Sequence, residues 1–477
     1  MVGSSPHTLV MKFGGTSVGT PEAMAQTAQI VARQHALTSR LVVVTSALSG
    51  VTDLLLNSAT AAARGEMDAY NQAVQGLRNK HDTVLKTLIT DRARQEEVRG
   101  AITLLILDFA NLCQAIGVLG EATPRALDAV ASLGERMAVR LLAAQLENIG
   151  VSAQYVESNR LIVTDDNFQS AHPDLPATQM ATRAVLNTFL DQGIIPVVTG
   201  FMGATRAGVT TTLGRGGSDY TAALLGASLP ADEVWIWTDV DGVMTADPRI
   251  VPYATTIEEL TYREVSELAY AGAKVLHPKT IRPVIEAGIG LRVLNTFNPD
   301  HPGTRLVSDL PVSDKNVVKS VTAIRGQSLI TLEGRGMLGV PGVAARTFGA
   351  IAATDTSITL ISQASSEQAI CFAVPVEAVE KAIAGLQNEF FREIQRKDID
   401  RVWATGEVVI VTVVGEGMKS TPGVAGKVFT ALGEKGINVV AIAQGSSEVS
   451  ISFVLKAEDV RPAVQTLHDL VIMKEAA

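Results

Sequence analysis

The chain has 477 residues, a formal net charge of −9 and only 4% aromatic residues, so a phosphate-binding or base-stacking surface for nucleic acid is not expected. Its two cysteines, Cys113 and Cys371, are too far apart in a long chain to form a disulfide scaffold and fit a reducing cytoplasm. Met1–His7 has no secretory signal, the apolar run Ala101–Leu112 is interrupted by Asp108, and the seven histidines never cluster with other ligands, so no signal peptide, membrane partner or metal site is expected.

An apolar run, Leu9 to Met11, reads as a buried strand that delivers Lys12 and then breaks into Gly14, Gly15, Thr16 and Ser17. Glycines let a backbone approach a ligand, and their N–H groups with the hydroxyls and the lysine would cradle an anion. A tight strand-to-helix turn with a surface lysine fits the same residues. No Gly-Lys-Ser/Thr closes the motif, so it is not a Walker A loop. The next helix should start with Thr20 as N-cap and Pro21 in its first turn.

Further strands are predicted at Leu41–Thr45, Ile194–Thr199, Val234–Thr238 and Gly290–Leu294, with helices between them. This alternation predicts a doubly wound α/β sheet with ligand loops at the carboxyl ends of its strands. Residues 53 to about 148 read as a long helical excursion, in which Glu135 opens a helix as a solvated charge. In Thr210–Thr221, Gly214, Gly216 and Gly217 clear space and Arg215 offers a planar fork for a carboxylate or phosphate. Ser218 and Asp219 stand at the start of a helix, Tyr220 to Ala227, as caps or as part of a ligand site. The strand ending at Thr238 runs into Asp239, Asp241 and Asp247, which are either Mg²⁺ ligands or turn formers. Lys274 falls in a polar break after a helix, and the Pro/Gly cluster Asn298–Thr304 marks a domain boundary soon after it.

Beyond that boundary the sequence repeats itself at a shift of 81. Gly336-Met337, Pro341 to Ala344, Phe348, Ser357, Gln363 and Phe372 fall on Gly417-Met418, Pro422 to Ala425, Phe429, Asn438, Gln444 and Phe453. Each copy reads strand, turn, helix, strand, strand, helix, a small α+β sandwich used twice. Gly334-x-Gly336-x-x-Gly339 mimics a dinucleotide fingerprint, but its unit is too short for one and the second copy lacks the triplet.

Together these motifs resemble the aspartokinases of the amino-acid-kinase fold. The matching runs are Lys12 to Val18, Ser46 to Thr52, Leu-Gly-Glu135, Gly214 to Asp219, Trp237 to Asp241 and Ala-Lys274-Val275-Leu-His-Pro, with a tail similar to paired ACT domains (ferredoxin-like). The resemblance implies a catalytic domain over 1–310 and regulatory repeats over 311–403 and 404–477. It implies ATP-dependent phosphorylation of L-aspartate to 4-phospho-L-aspartate, with Mg²⁺ held mainly by the nucleotide phosphates. In this assignment Lys12 neutralises the transferring phosphoryl group and Asp219 orients Lys12. Gly14, Gly15 and Ser17 cradle phosphate. Arg215, with Ser218, takes the α-carboxylate, Glu135 the ammonium, and Thr52 the reacting carboxylate. Thr238, Asp239, Asp247, Arg249, Lys274 and Val275 line the nucleotide, and Met244 stands where many relatives have a tyrosine.

The repeats imply an amino-acid effector bound near Ser357, Ile358, Gln363, Asn438 and Gln444, and a homodimer or larger assembly. Threonine is favoured over lysine, because Thr359 stands where lysine-sensing relatives place an aspartate; Glu367 and Glu448 could still serve a lysine. Competing readings are a non-catalytic sensor on a kinase fold and a kinase for a sibling acid. The chain stops at Ala477, so a homoserine dehydrogenase activity is not expected.

Overall fold

The computed structural model describes residues 7–273, 276, 278–308, 317–337, 339–363, 368–445 and 448–469. It divides into two compact units. One comprises Met1–Val243, Thr256–Tyr262 and Val275–Asp309; the other comprises Met244–Thr255, Arg263–Lys274 and Leu310–Ala477.

The first unit is built on an eight-stranded sheet. Its order is Ala153–Val156, Ile195–Thr199, Arg40–Thr45, Thr8–Phe13, Glu233–Thr238, Gly290–Asn295, Thr304–Val307 and Glu259–Thr261. Five of its pairings, from Ala153–Val156 across to Gly290–Asn295, are parallel. Thr8–Phe13 is central and buried throughout, as the apolar run requires. Alternation sends Leu9, Met11 and Phe13 into the largest core cluster and turns Lys12 to the opposite face. The chain leaves this strand towards Arg40–Thr45 on one side, while Glu233–Thr238 flanks it on the other. Ligands of such sheets bind beyond the carboxyl ends of the strands at such a switch point.

The helical excursion is four helices, Val51–Ala63, Met67–Leu88, Arg92–Leu119 and Pro124–Asn148. They share the core cluster with one face of the sheet. Arg92–Leu119 departs from expectation. Ala101–Leu112 is the middle of a 28-residue helix that is long and apolar enough, by length and composition, to cross a membrane. One face, including Ile102, Ile106, Phe109 and Cys113, is built into the core. Leu104 and Leu107 are exposed on another.

The second unit contains a six-stranded antiparallel sheet ordered Leu360–Gln363, Ala369–Pro375, Ser320–Glu333, Arg401–Val414, Ser450–Lys456 and Ala441–Ala443. The two central strands are 14 residues each, and both copies share them. Val321 joins the core of the second copy with Val409, Val411 and Val413, whereas Ile330 and Leu332 join the core of the first. A register shift between Ile324 and Gln327 separates the two halves. The intervening side chains, Leu329, Val408 and Ile410, form a third cluster on the opposite face.

The repeat is visible in side-chain geometry. Phe348 packs edge-on against Phe372 at 6.0 Å, and Phe429 against Phe453 at 5.8 Å. The mimic of a dinucleotide fingerprint also has its explanation. A Cβ on Gly334 or Gly336 would fall within 2.4–2.6 Å of the 398–399 backbone, and one on Gly415 or Gly417 would crowd Val317. These glycines admit a neighbouring chain segment, not a pyrophosphate.

Candidate active site

Lys12 is the last residue but one of the central strand, opposite Val44 and Ile236. Its ammonium pairs with Asp219 at 2.5 Å, and both side chains are largely buried. Removing either partner in this setting would leave the other charge largely buried and unpaired. Gly14 follows, its N–H donating to the carbonyl of Trp237 at 3.2 Å. A Cβ on Gly14 would lie 3.5 Å from the Lys12 ammonium, and one on Gly15 would crowd the carbonyl of Ala47 at 3.1 Å. The next helix starts as expected, with Thr20 capping the N–H of Ala23 and Pro21 in its first turn.

Ser17, a candidate for the phosphate cradle, has its hydrogen bonds within the protein. It is fully buried, its hydroxyl meets that of Thr296 at 2.8 Å, and its N–H donates to the carbonyl of Gly14. This hydroxyl ties the turn to a strand end 279 residues away. Gly14, Gly15 and the exposed Thr16 remain at the surface of the cradle.

Asp219 and Ser218 lie in the first turn of the helix Gly217–Ser228, and neither caps it: Gly216 does, in the left-handed region at φ 73°. The turn is packed closely. A Cβ on Gly200 would meet Ser218 at 2.5 Å, and one on Gly217 would meet the ring of Phe201 at 2.6 Å. Phe201 itself has φ 70°, a strained geometry at a site the sequence did not single out. Arg215 stands exposed in this turn.

Glu135 is not at a helix start. It is the twelfth residue of Pro124–Asn148, only 3% exposed. One carboxylate oxygen accepts the N–H of Ala47 at 3.3 Å; the other is buried with no hydrogen-bond partner among the described residues. Burial pushes its carboxyl up to about 8. Gly134 allows this approach, since a Cβ there would strike Ala47 at 2.9 Å. The helix start is signalled upstream by Thr123, which caps it by accepting the N–H of Ala126, and by Pro124 at its first position. Thr52 is the second residue of the helix Val51–Ala63, entered through Gly50 in the left-handed region.

On the same helix as Glu135, Asp128 is buried and was not singled out by the sequence. Its only signal is an acid seven residues before Glu135, on a buried face. It accepts three donors: the N–H and hydroxyl of Thr212 at 2.9 and 2.7 Å, and the N–H of Gln169 at 3.0 Å.

The carboxylates of the aspartate-rich loop each have a donor within the protein. Asp239 is exposed and accepts the hydroxyl of Thr238 at 3.2 Å. Asp241 accepts the side-chain amides of Asn295 and Asn298. Asp247 belongs to the second unit, where its carboxylate is held below its ordinary range mainly by the hydrogen-bonded Arg249 guanidinium, at 2.7 Å. Its carbonyl closes a turn through the N–H groups of Ile250 and Val251. Among the described residues, no three metal-ligating side chains come together. Lys274 and Val275 lie outside the described residues.

Of the effector-site candidates, Ser357 and Asn438 are exposed and Ile358 packs on the first-copy core. Gln363 ends one edge strand, and Gln444 follows the other; both are exposed. Thr359 donates its hydroxyl to Gln327 at 2.9 Å. Glu448 is exposed, and Glu367 lies outside the described residues.

Residues 7–295 match the amino acid kinase family, and residues 330–390 and 411–470 match the ACT domain. The chain is 36% identical over 467 residues to a maize bifunctional aspartokinase/homoserine dehydrogenase, covering 96% of this chain and 50% of that one. It thus spans about half the length of the bifunctional relatives. It is 31% identical to the aspartokinase of Schizosaccharomyces pombe, covering 92% of it. Among solved structures, Escherichia coli aspartokinase III with aspartate and ADP superposes with a TM-score of 0.80, at 31% identity over 98% of this chain and 100% of that one. The same enzyme with lysine and aspartate gives 0.76, over 97% of this chain and 99% of that one. The chain therefore belongs to the aspartokinases of the amino acid kinase family.

Proposed function

We propose that this chain transfers the γ-phosphoryl group of ATP to the β-carboxylate of L-aspartate, giving 4-phospho-L-aspartate and ADP, the first step towards lysine, threonine and methionine. The observation that carries the reading is the largely buried Lys12–Asp219 pair at the carboxyl end of the central strand. A β-carboxylate, with an ordinary pKa near ~3.9, is already ionised at neutral pH and needs no base. Its obstacle is the charge of the triphosphate: two like unit charges ~4 Å apart repel by about 4 kcal/mol at an effective dielectric of 20. Positioning and fixed positive charge are what such a reaction requires. In this reading Lys12, aimed by Asp219, neutralises the moving phosphoryl group, and the Gly14–Gly15 turn admits the phosphates.

Arg215 takes the α-carboxylate as a bidentate pair beside Ser218, and Thr52 donates to the reacting carboxylate. The unpartnered oxygen of Glu135 suits the substrate ammonium. Thr238 and Asp239 serve the nucleotide, with Asp247, Arg249, Lys274 and Val275 assigned there by resemblance. Mg²⁺, held mainly by the nucleotide phosphates as the resemblance implies, would supply charge neutralisation there.

The regulatory reading is feedback inhibition through the ACT repeats, with threonine as effector. Its support is Thr359, just before the first-copy strand Leu360–Gln363, which is hydrogen-bonded to Gln327 and offers no carboxylate for a lysine ammonium. A homodimer or larger assembly through the ACT repeats is carried by the resemblance; within the chain the two edge strands Leu360–Gln363 and Ala441–Ala443 already meet, the Ser362 hydroxyl donating to the carbonyl of Ile442 at 3.3 Å. A cytoplasmic location completes the reading, on the two free thiols.

ADP release measured over aspartate, glutamate and other acids tests the activity. Aspartate should be preferred, and Lys12→Ala should lower kcat by three orders of magnitude or more with little change in nucleotide binding. No aspartate-dependent turnover in the unaltered chain would leave the non-catalytic sensor. Adding threonine or lysine to the same assay at about 5 mM, above any plausible Kd, identifies the effector. Inhibition by lysine alone would overturn threonine.

A further inference from the structure

Asp128 and Glu135 lie seven residues apart on one helix, two turns and about 10 Å along the same face. Glu135 reaches the chain just beyond the Arg40–Thr45 strand, at Ala47. Asp128 reaches two other segments, and both border the turn that carries Arg215. Thr212, bound through its N–H and hydroxyl, ends the strand Thr210–Thr212, two residues before Gly214. Gln169, bound through its N–H, is held at φ 68°. A Cβ on Gly214 would stand 3.0 Å from the carbonyl of Gln169, so this residue closes directly over the start of the turn. Ala171 then donates to the carbonyl of Thr212 at 2.9 Å, fastening the two segments to each other.

We infer that Asp128 is a positioning residue, which sets the Arg215 turn relative to Glu135 so that one helix holds both halves of an α-amino-acid recognition site in register. This inference rests on the proposed aspartate reading, in which Glu135 meets the ammonium and Arg215 the α-carboxylate. Those two substrate groups share one carbon, so their partners must be placed relative to each other within a few tenths of an ångström. A carboxylate suits the task because every group facing it is a donor. An amide in its place could keep its oxygen on the two N–H groups only by meeting the Thr212 hydroxyl with its NH₂, so that hydroxyl would turn from donor to acceptor and the charge-assisted bonds to Gln169 and Thr212 would become weaker neutral ones.

The test is Asp128→Asn in the full chain, read by steady-state kinetics and by hydrogen exchange. Expected are an aspartate KM raised tenfold or more, an ATP KM within twofold and a kcat within threefold. Discrimination between aspartate and succinate, which lacks the amino group, should shrink by a similar factor. Thr212→Val removes only the hydroxyl bond and should give the same split at about threefold, which keeps the test open if the asparagine variant does not fold. An unchanged aspartate KM, or aspartate and ATP parameters falling together with Tm, would overturn the positioning role. Exchange at the Gln169 and Thr212 amides should accelerate selectively in Asp128→Asn. Selective acceleration in a chain whose unaltered form does not turn over aspartate would retain the positioning contact and reject the substrate reading.

Discussion

Glu135 shows how a single side chain changes character with its surroundings. In the motif Leu-Gly-Glu-Arg it looks like a solvated charge; inside the helix Pro124–Asn148 it is buried, with one unpartnered oxygen. Burial raises its carboxyl to about 8, so the ligand-free protein holds it protonated at neutral pH. Because the folded value lies above the unfolded one, its contribution to stability is fully present below about pH 4.5 and is lost as pH rises through about 8. Glu135→Gln should therefore gain stability relative to the parent across that interval, at about 1.4 kcal/mol per pH unit. Urea midpoints of both proteins at pH 5 and pH 8 check this, and a constant difference would contradict it. If the carboxylate form takes the substrate ammonium, the aspartate KM of the parent should fall as pH approaches 8, while the glutamine variant loses that dependence. Ser17 makes the opposite point: a hydroxyl in a phosphate-like motif is already bonded to Thr296.

At the scale of elements, the helical excursion was legible as helix but not in its registers. Asp108 interrupts the apolar run in sequence, yet it sits on an exposed face of Arg92–Leu119 and interrupts nothing in the helix. The helix Met67–Leu88 buries His81, whose Nδ1 bonds the carbonyl of Leu77 at 2.7 Å while Nε2 has no hydrogen-bond partner among the described residues. Burial lowers this imidazole to about 4. Here the unfolded chain binds the proton more readily, so stability is lost as pH falls below 6.5 and levels off below about 4. The loss amounts to roughly 3 kcal/mol. His81→Leu should flatten this part of the acid limb: its stability difference from the parent between pH 7 and pH 4.5, by urea denaturation, should shift in its favour. An identical acid limb in the two proteins would place the imidazole in contact with water.

For the molecule as a whole, the division into units departs from a simple cut near residue 310. The segment Met244–Thr255, read as part of the catalytic domain, groups with the second unit. Ala246, Ile250 and Val251 enter the second-copy core, and Gln465 and Arg461 donate to the carbonyls of Ile250 and Arg249. The Thr245 hydroxyl accepts the N–H of Thr255 and meets Nε2 of the fully buried His468 at 2.9 Å. Thr245→Val keeps the shape and deletes both bonds, so the second unit should lose about 1–3 kcal/mol. Limited proteolysis should find the 244–255 segment cut sooner than in the parent; unchanged cleavage would show that the apolar contacts alone hold it.

The sequence by itself determined the strand-then-glycine turns, the cap at Thr20 and the shift of 81 between the repeats, and it put forward the charged candidates. These are properties of neighbouring residues and of periodicity, which a chain carries in linear order. Only the tertiary structure decided which of those charges are buried, that Ser17 belongs to Thr296, that Asp128 holds the turn of Arg215, and that two 14-residue strands are shared between the copies. Each of these depends on contacts between residues far apart in the chain. Burial and hydrogen-bond satisfaction arise only when those segments pack together.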